Sequence, residues 1–426
     1  MDRFSIEGGF PLKGTVTPSG NKNAALALLA ASLLTDEELL LDNVPRIRDV
    51  HSMLRLLADL GVEIDERGDH TLALRARQVR KVDLNPELFA EIRGSVLLAG
   101  PMLARCGAVT LPRPGGDPIG RRRVDTHLMA LRALGAEISV DAAYDMRAEY
   151  LSGADILLDE MSVTATENSL MAAVLARGST TIRNAASEPH VQDLARALIQ
   201  MGARIEGSGT NTLRVEGVER LRGGHFSIGP DYIEVGSLIG LAAATHGEIT
   251  LRQTEPEHLR MITLMFHRLG VEIELRGRDV FVSGKQTLRI VPDVHGAIPK
   301  IDDAPWPGFP ADLMSIALVV ATQAEGTLLI HEKMFESRLY FVDKLISMGA
   351  NIVLCDPHRC IVIGPSPLHG ERLESPDIRA GMALLIAALC ARGQSVIRNI
   401  GQIDRGYERI EEKLQTLGAH IQRVRD

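Results

Sequence analysis

Apolar positions recur along this chain in two textures. In the first, "LLADLGVEI", "LRALGAEI", "LIQMGARI", "FHRLGVEI", "LISMGANI" and "LQTLGAHI" each set apolar residues at helical spacing, then a glycine, then a short alternating run. The glycines Gly61, Gly135, Gly202, Gly270, Gly349 and Gly418 stand 67 to 79 residues apart, a regular spacing longer than that of ordinary solenoids. In the second texture, "NAALALLAASLL", "SVLLAGPMLARCG", "SLMAAVLARG", "VGSLIGLAAATHG", "LMSIALVVATQAEG" and "MALLIAALCARG" are apolar almost all round, and helices of that kind lie inside a domain. Five of them pass through glycine into a β-branched or alternating run, as in "STTIRN" and "GTLLIHE"; the first runs straight into "EELLLDN". The pattern predicts six copies of one α/β unit: buried helix, strand, amphipathic helix, strand, with glycine as the helix C-cap.

Length and composition place these units. A chain of 426 residues exceeds the ~250–300 residues at which single cores stop growing, so two domains are expected. No apolar run approaches the ~18 residues of a membrane span, and "MDRFSIEGGF" has no signal-peptide core; a cytoplasmic protein with no membrane partner is expected. Cys106, Cys355, Cys360 and Cys390 form no C-x-x-C pair and read as reduced, buried thiols. A net charge of −8 with 4% aromatic residues argues against nucleic-acid binding, which needs a basic face and stacking platforms. Any anion site must be a local cluster of cations.

The starts of the buried helices supply such a cluster. They are preceded by "PSGNKN", "EIRGS", "SVTATEN", "PDYIE", "FPADL" and "SPDIR". A helix N-terminus carries roughly +0.5 of a charge, so a cation there is unfavourable unless an anion lies between. Lys22, Arg93 and Arg379 each occupy such a start, and three in equivalent positions point to an anionic, phosphate-bearing ligand.

Together and in this order, "PSGNKNAAL", "IRGS", "LPRPGGDPIGRRRVDTH", "SVTATEN", "FPADL", "FESR", "SPDIRA" and "DRGYERIEEKL" resemble the UDP-N-acetylglucosamine enolpyruvyl transferases over essentially the whole chain. The resemblance implies an α/β fold of two similar domains, an inside-out α/β barrel built from six βαβαββ units, three per domain. The domains would be 22–229, carrying a mobile loop at 111–124, and 1–21 with 230–426. It implies transfer of the enolpyruvyl group of phosphoenolpyruvate to the 3′-hydroxyl of UDP-N-acetylglucosamine, with no metal or organic cofactor and with these two small molecules as partners. Such an addition and elimination needs an acid for C3, a base for the hydroxyl, cations for carboxylate and phosphate, and exclusion of water.

The resemblance also assigns roles. Lys22 and Asn23 match a pair that contacts phosphoenolpyruvate and the sugar. Arg122, Arg338, Arg379 and Arg405 match arginines that bind the three-carbon acid or draw the domains together, the first a task suited to guanidinium's bidentate geometry. Asp312 corresponds to the carboxylate that meets the 3′-hydroxyl and is the candidate base, and Asp377 is a second carboxylate near the reacting carbons. Read locally, both would be helix N-caps. For the nucleotide sugar the matches are Arg93, Arg122, Arg123, Val124, Asp125, Thr126, Glu160, Met161, Ser162, Val163 and Met334, with Asn23 and Asp312 at the sugar itself.

In "PGGDPIG" Asp117 occupies the loop position where many members carry cysteine, and so becomes the candidate proton donor to C3. A carboxyl has an ordinary pKa of ~3.9 and the adjacent arginines push it lower, so Asp117 must gain its proton as the loop closes against bound phosphate. A carboxylate attacks epoxides poorly beside a thiolate, and resistance to fosfomycin is expected. Glu160, Tyr232 and Arg123 depart from the commonest family pattern, which leaves open a different acceptor, or a silent UDP-sugar-binding relative. Intact Lys22, Asp117, Asp312, Arg379 and Arg405 count against the silent relative.

Overall fold

The computed structural model describes residues 2–116 and 119–425, which form two compact units. One contains residues 20–116 and 122–229; the other contains 2–19, 119–121 and 230–425. The division expected at 21/22, with the whole loop in the first domain, differs in two particulars. The boundary lies at Ser19/Gly20, because the Ser19 carbonyl accepts from Asp231 N and Ser19 N donates to Glu234 Oε2. Residues 119–121 group with the second unit, where Ile119 O accepts from Ser337 N at 3.1 Å and Arg121 N donates to Glu336 Oε2 at 3.2 Å.

The 20–229 unit has three sheets and three apolar helices, Lys22–Ala31, Ala99–Cys106 and Val163–Ala173, most of whose residues are buried. The sheet that shows the pairing most plainly runs Arg204–Glu206, Thr212–Glu216, Ser179–Arg183, Asp155–Leu157. Its last pair is parallel and the other two are antiparallel. Along the chain this reads strand, buried helix, strand, amphipathic helix, hairpin. A second sheet has the same pairing, with Gly224–Ser227 parallel to Leu39–Asp42. The third has three strands, Ala108–Leu111, Tyr144–Arg147 and Glu137–Val140, and a single parallel bridge from Asp83 to Thr110 in the fourth place.

The second unit repeats this composition, with the apolar helices Tyr232–Ala244, Met314–Gln323 and Ile378–Cys390. Each of its three sheets joins one parallel pair to two antiparallel pairs. Two of its strands come from the start of the chain. Arg3–Gly8 lies between Gly393–Arg398 and His420–Val424, and Lys13–Val16 pairs in parallel with Glu248–Leu251. Each unit has its own core, and every residue of Tyr232–Ala244 is buried, as its uniform hydrophobicity requires.

All six glycines that follow the amphipathic helices have positive φ, between 80° and 106°. That left-handed geometry ends a helix at no steric cost only for glycine. Among the described residues no helix is long and apolar enough to cross a membrane.

Candidate active site

In the 20–229 unit the polar groups gather at the starts of the buried helices. Asn21 is an N-cap whose side chain accepts from Ala24 N at 2.9 Å, which places Lys22 and Asn23 in the first turn. The Lys22 ammonium is buried against Asp49, Nζ to Oδ2 2.8 Å; Asn23 is half-buried beside it in sequence. Arg93 opens the 3-10 turn Arg93–Leu98, and its Nη2 donates to the carbonyls of Arg122 at 2.6 Å and Arg123 at 3.2 Å. Burial lowers its pKa from the usual value, so this guanidinium ties down the segment after the loop at some cost in solvation.

That segment leads through Val124 into the helix Asp125–Ala133. Arg123 reaches both Asp125, at 3.4 Å, and Asp159, at 3.0 Å. Thr126 Oγ1 donates to Asp159 Oδ1 at 2.7 Å, and this bond with the Arg123 charge holds the Asp159 carboxyl below its usual range. Glu160 is exposed, and its carbonyl accepts from Ser162 N at 2.8 Å. Met161 is half-buried, and Ser162 is the N-cap of the helix that begins at Val163. His127 lies under these groups: its Nε2 is 2.9 Å from Thr164 Oγ1, and burial, with the Arg93 charge second, pushes its pKa down to about 3.

In the second unit Asp312 lies between two buried guanidiniums. Arg338 Nη2 is 2.5 Å from its Oδ1, and Arg379 donates to Oδ2 from Nε at 3.0 Å and lies 2.9 Å from it through Nη2. Asp312 is therefore an ion-pair centre and not the N-cap that its position suggests. Asp377 is an N-cap, accepting from Arg379 N at 2.8 Å and Ala380 N at 3.0 Å. Burial opposes the Arg338 charge, but Asp312, Asp377 and Glu332 outweigh it and raise its pKa. Arg338 Nε and Arg379 Nη1 are buried donors with no hydrogen-bond partner. Leaving such a donor unmade costs ~1–3 kcal/mol, more for a charged group, and an anionic ligand would satisfy both.

Arg405 ends the 3-10 segment Ile400–Arg405, where Nη1 donates to Gln402 Oε1 at 3.0 Å. Met334 is 40% exposed, with its N–H donating to Asp303 Oδ2 at 3.1 Å. Phe335 packs under Arg338, ring centroid to guanidinium carbon 5.1 Å. Tyr232 is buried in edge contact with His258 and Trp306, so this side chain serves packing. Asp117 lies outside the described residues.

Sequence reasoning passed over Asp49, His127, Glu332 and Tyr407. His127 and Tyr407 were inside quoted motifs, "VDTH" and "DRGYERIEEKL", and only their neighbours were given roles. Glu332 is completely buried, and burial, with Asp303 second, pushes its pKa up to about 10.

A family model for EPSP synthase (3-phosphoshikimate 1-carboxyvinyltransferase) matches residues 6–414. The chain is 56% identical over 422 residues to a UDP-N-acetylglucosamine 1-carboxyvinyltransferase of Bradyrhizobium diazoefficiens, covering 99% of this chain and 98% of that one. It is 53% identical over 422 residues to the protein of that name in Treponema denticola, covering 99% of each. Of solved structures, the enolpyruvyl transferase NikO from Streptomyces tendae superposes with a TM-score of 0.88 at 25% identity, over 99% of both chains. An EPSP synthase from Acinetobacter baumannii gives a TM-score of 0.75 at 18% identity over 100% of both, a likeness of fold.

Proposed function

The chain belongs to the UDP-N-acetylglucosamine 1-carboxyvinyltransferase family, and from that membership we propose that it transfers the enolpyruvyl group of phosphoenolpyruvate to the 3′-hydroxyl of UDP-N-acetylglucosamine. Phosphate is released, and the step is the first committed one of peptidoglycan synthesis, carried out in the cytoplasm. The observation that carries this reading is 56% identity across 99% of the chain. The shared sheet pairing supports reading the fold as six βαβαββ units in two inside-out α/β barrels.

The residues are assigned as follows. Arg338 and Arg379, each with an unsatisfied buried donor, receive the carboxylate and phosphate of phosphoenolpyruvate together with Lys22, Arg122 and Arg405. As the substrate's anionic groups take over these guanidiniums, the Asp312 carboxylate is released from its two cations. It then takes the proton of the 3′-hydroxyl as that oxygen attacks C2. Asp117 gives a proton to C3 in the addition. In the elimination C3 returns a proton to the Asp117 carboxylate, the C2–O bond to phosphate breaks with its electron pair going to the leaving phosphate, and the enol ether forms. Asp377 faces the reacting carbons from its helix start. The nucleotide is assigned to Arg93, to Arg122 through Thr126, and to Glu160 through Val163, with Asn23 and Met334 at the sugar.

The test is phosphate release from phosphoenolpyruvate by the purified protein, with and without UDP-N-acetylglucosamine, followed by mass analysis of the nucleotide. Sugar-dependent phosphate and an enolpyruvyl-bearing nucleotide are expected. A folded sample that releases no phosphate in the presence of the sugar nucleotide would overturn the reading.

A further inference from the structure

Tyr407 lies two positions after Arg405, fully buried. Its hydroxyl is 2.9 Å from Ser237 Oγ, on the apolar helix Tyr232–Ala244. Ser237 has one hydroxyl proton, and that proton is committed: Oγ donates to the Ile233 carbonyl, one turn earlier, at 2.8 Å. The proton of the Tyr407–Ser237 contact must therefore come from Tyr407, and the lone pairs left on its oxygen can only accept. The neighbouring cation is Arg379: its guanidinium carbon stands 5.4 Å from the Tyr407 ring centroid, within cation–π range, and the Tyr407 hydroxyl interacts with that guanidinium as a hydrogen-bonding partner.

Asp312 holds Arg379 on another side through Nε and Nη2, while Nη1 is buried without a partner. Asp312 is also the proposed base, and a base that must give up its cations cannot be what keeps Arg379 in place during the reaction. A neutral acceptor, fixed by a hydroxyl chain on a fully buried helix, can hold the guanidinium throughout without competing for its charge.

We infer that Tyr407 is a positioning residue for the proposed reaction: the relay Ile233 carbonyl, Ser237 hydroxyl, Tyr407 hydroxyl fixes the plane of Arg379 and so aims Nη1 at an anionic group of the three-carbon substrate. The inference rests on the reading of Arg379 as an anion-binding group.

The experiment is steady-state kinetics of the full chain carrying Tyr407→Phe, Ser237→Ala or both, with the KM of each substrate measured separately and thermal melting as the control for packing. Tyr407→Phe keeps the ring and removes the acceptor; the KM for phosphoenolpyruvate should rise about tenfold, the size expected for a hydrogen bond to a charged group. The KM for UDP-N-acetylglucosamine should change by less than about twofold. Ser237→Ala frees the Tyr407 proton to turn toward the cation and should raise the same KM, and the double variant should be no worse than Tyr407→Phe alone, because one relay is broken once. Equal rises in both KM values, or an unchanged phosphoenolpyruvate KM in a folded Tyr407→Phe protein, would overturn the relay. Arg379→Ala separates the two levels. If it leaves the phosphoenolpyruvate KM unchanged, the anion reading of Arg379 fails and the relay with it; if it raises that KM and neither relay variant does, the relay alone is wrong.

Discussion

Burial holds His127 neutral, with its pKa pushed down to about 3, and holds Glu332 protonated, with its pKa pushed up to about 10. The two act on stability in opposite senses. Below pH 6.5 the unfolded chain takes up a proton at His127 that the folded chain refuses, so stability falls as pH drops from 6.5 toward 3. Above pH ~4.5 the unfolded chain releases a proton from Glu332 that the folded chain keeps, so stability falls as pH rises from there toward 10. Each limb has a slope of up to ~1.4 kcal/mol per pH unit. His127→Gln should flatten the acid limb of a denaturation midpoint plotted against pH, and Glu332→Gln the alkaline limb; unchanged limbs would mean that neither proton is linked to folding. These residues show where sequence reading stops. Lys22, Arg93 and Arg379 were legible because a cation at a helix start is electrostatically odd. Asp49, Glu332 and Tyr407 act on partners distant in sequence or on another element, and no local pattern records that.

Among elements, the apolar helices were legible from composition alone, since a segment without a polar face has nowhere to go but a core. The glycines after the amphipathic helices were legible for an equally local reason, the left-handed turn. Hairpin strands of three to six residues were harder to see, because so short an alternation is indistinguishable from loop. Packing also explains why two glycines interrupt Tyr232–Ala244: a Cβ on Gly240 would stand 2.4 Å from Ile316 Cγ2, and one on Gly236 2.5 Å from Leu313 Cδ1. Glycine elsewhere in a helix costs ~1 kcal/mol against alanine, yet here alanine has no room. Gly240→Ala should destabilise the protein by ~1–3 kcal/mol, read as a lowered denaturant midpoint at unchanged slope; a raised midpoint would show that the two helices can move apart freely.

For the whole molecule, the 20–229 unit is inserted between the strands of residues 3–16 and the rest of the unit those strands complete. Phe4, Ile6 and Leu12 are at most 1% exposed. Burial of each contributes ~1.5–3 kcal/mol, so together they rival the ~5–15 kcal/mol that holds an ordinary domain folded. Removing residues 2–16 should therefore abolish slow amide exchange in 230–425 and leave it intact in 20–229, as hydrogen-exchange mass spectrometry would resolve; protection retained in 230–425 would contradict the role given to these strands. The discontinuity was legible only through family resemblance, since nothing local in "RFSIEG" names its partners.

The central position of Arg3–Gly8 between Gly393–Arg398 and His420–Val424 also sets a timetable for birth on the ribosome. At ~5–20 residues per second, this strand waits roughly 20–80 s for the last of its neighbours to be translated. For all of that time it is an unpaired edge, open to any other strand in the cell. Its sequence suits the wait: Arg3, Ser5 and Glu7 alternate with the two large apolar residues that will be buried, Phe4 and Ile6, so one face of the nascent strand stays polar and charged until the chain that closes over it has been made.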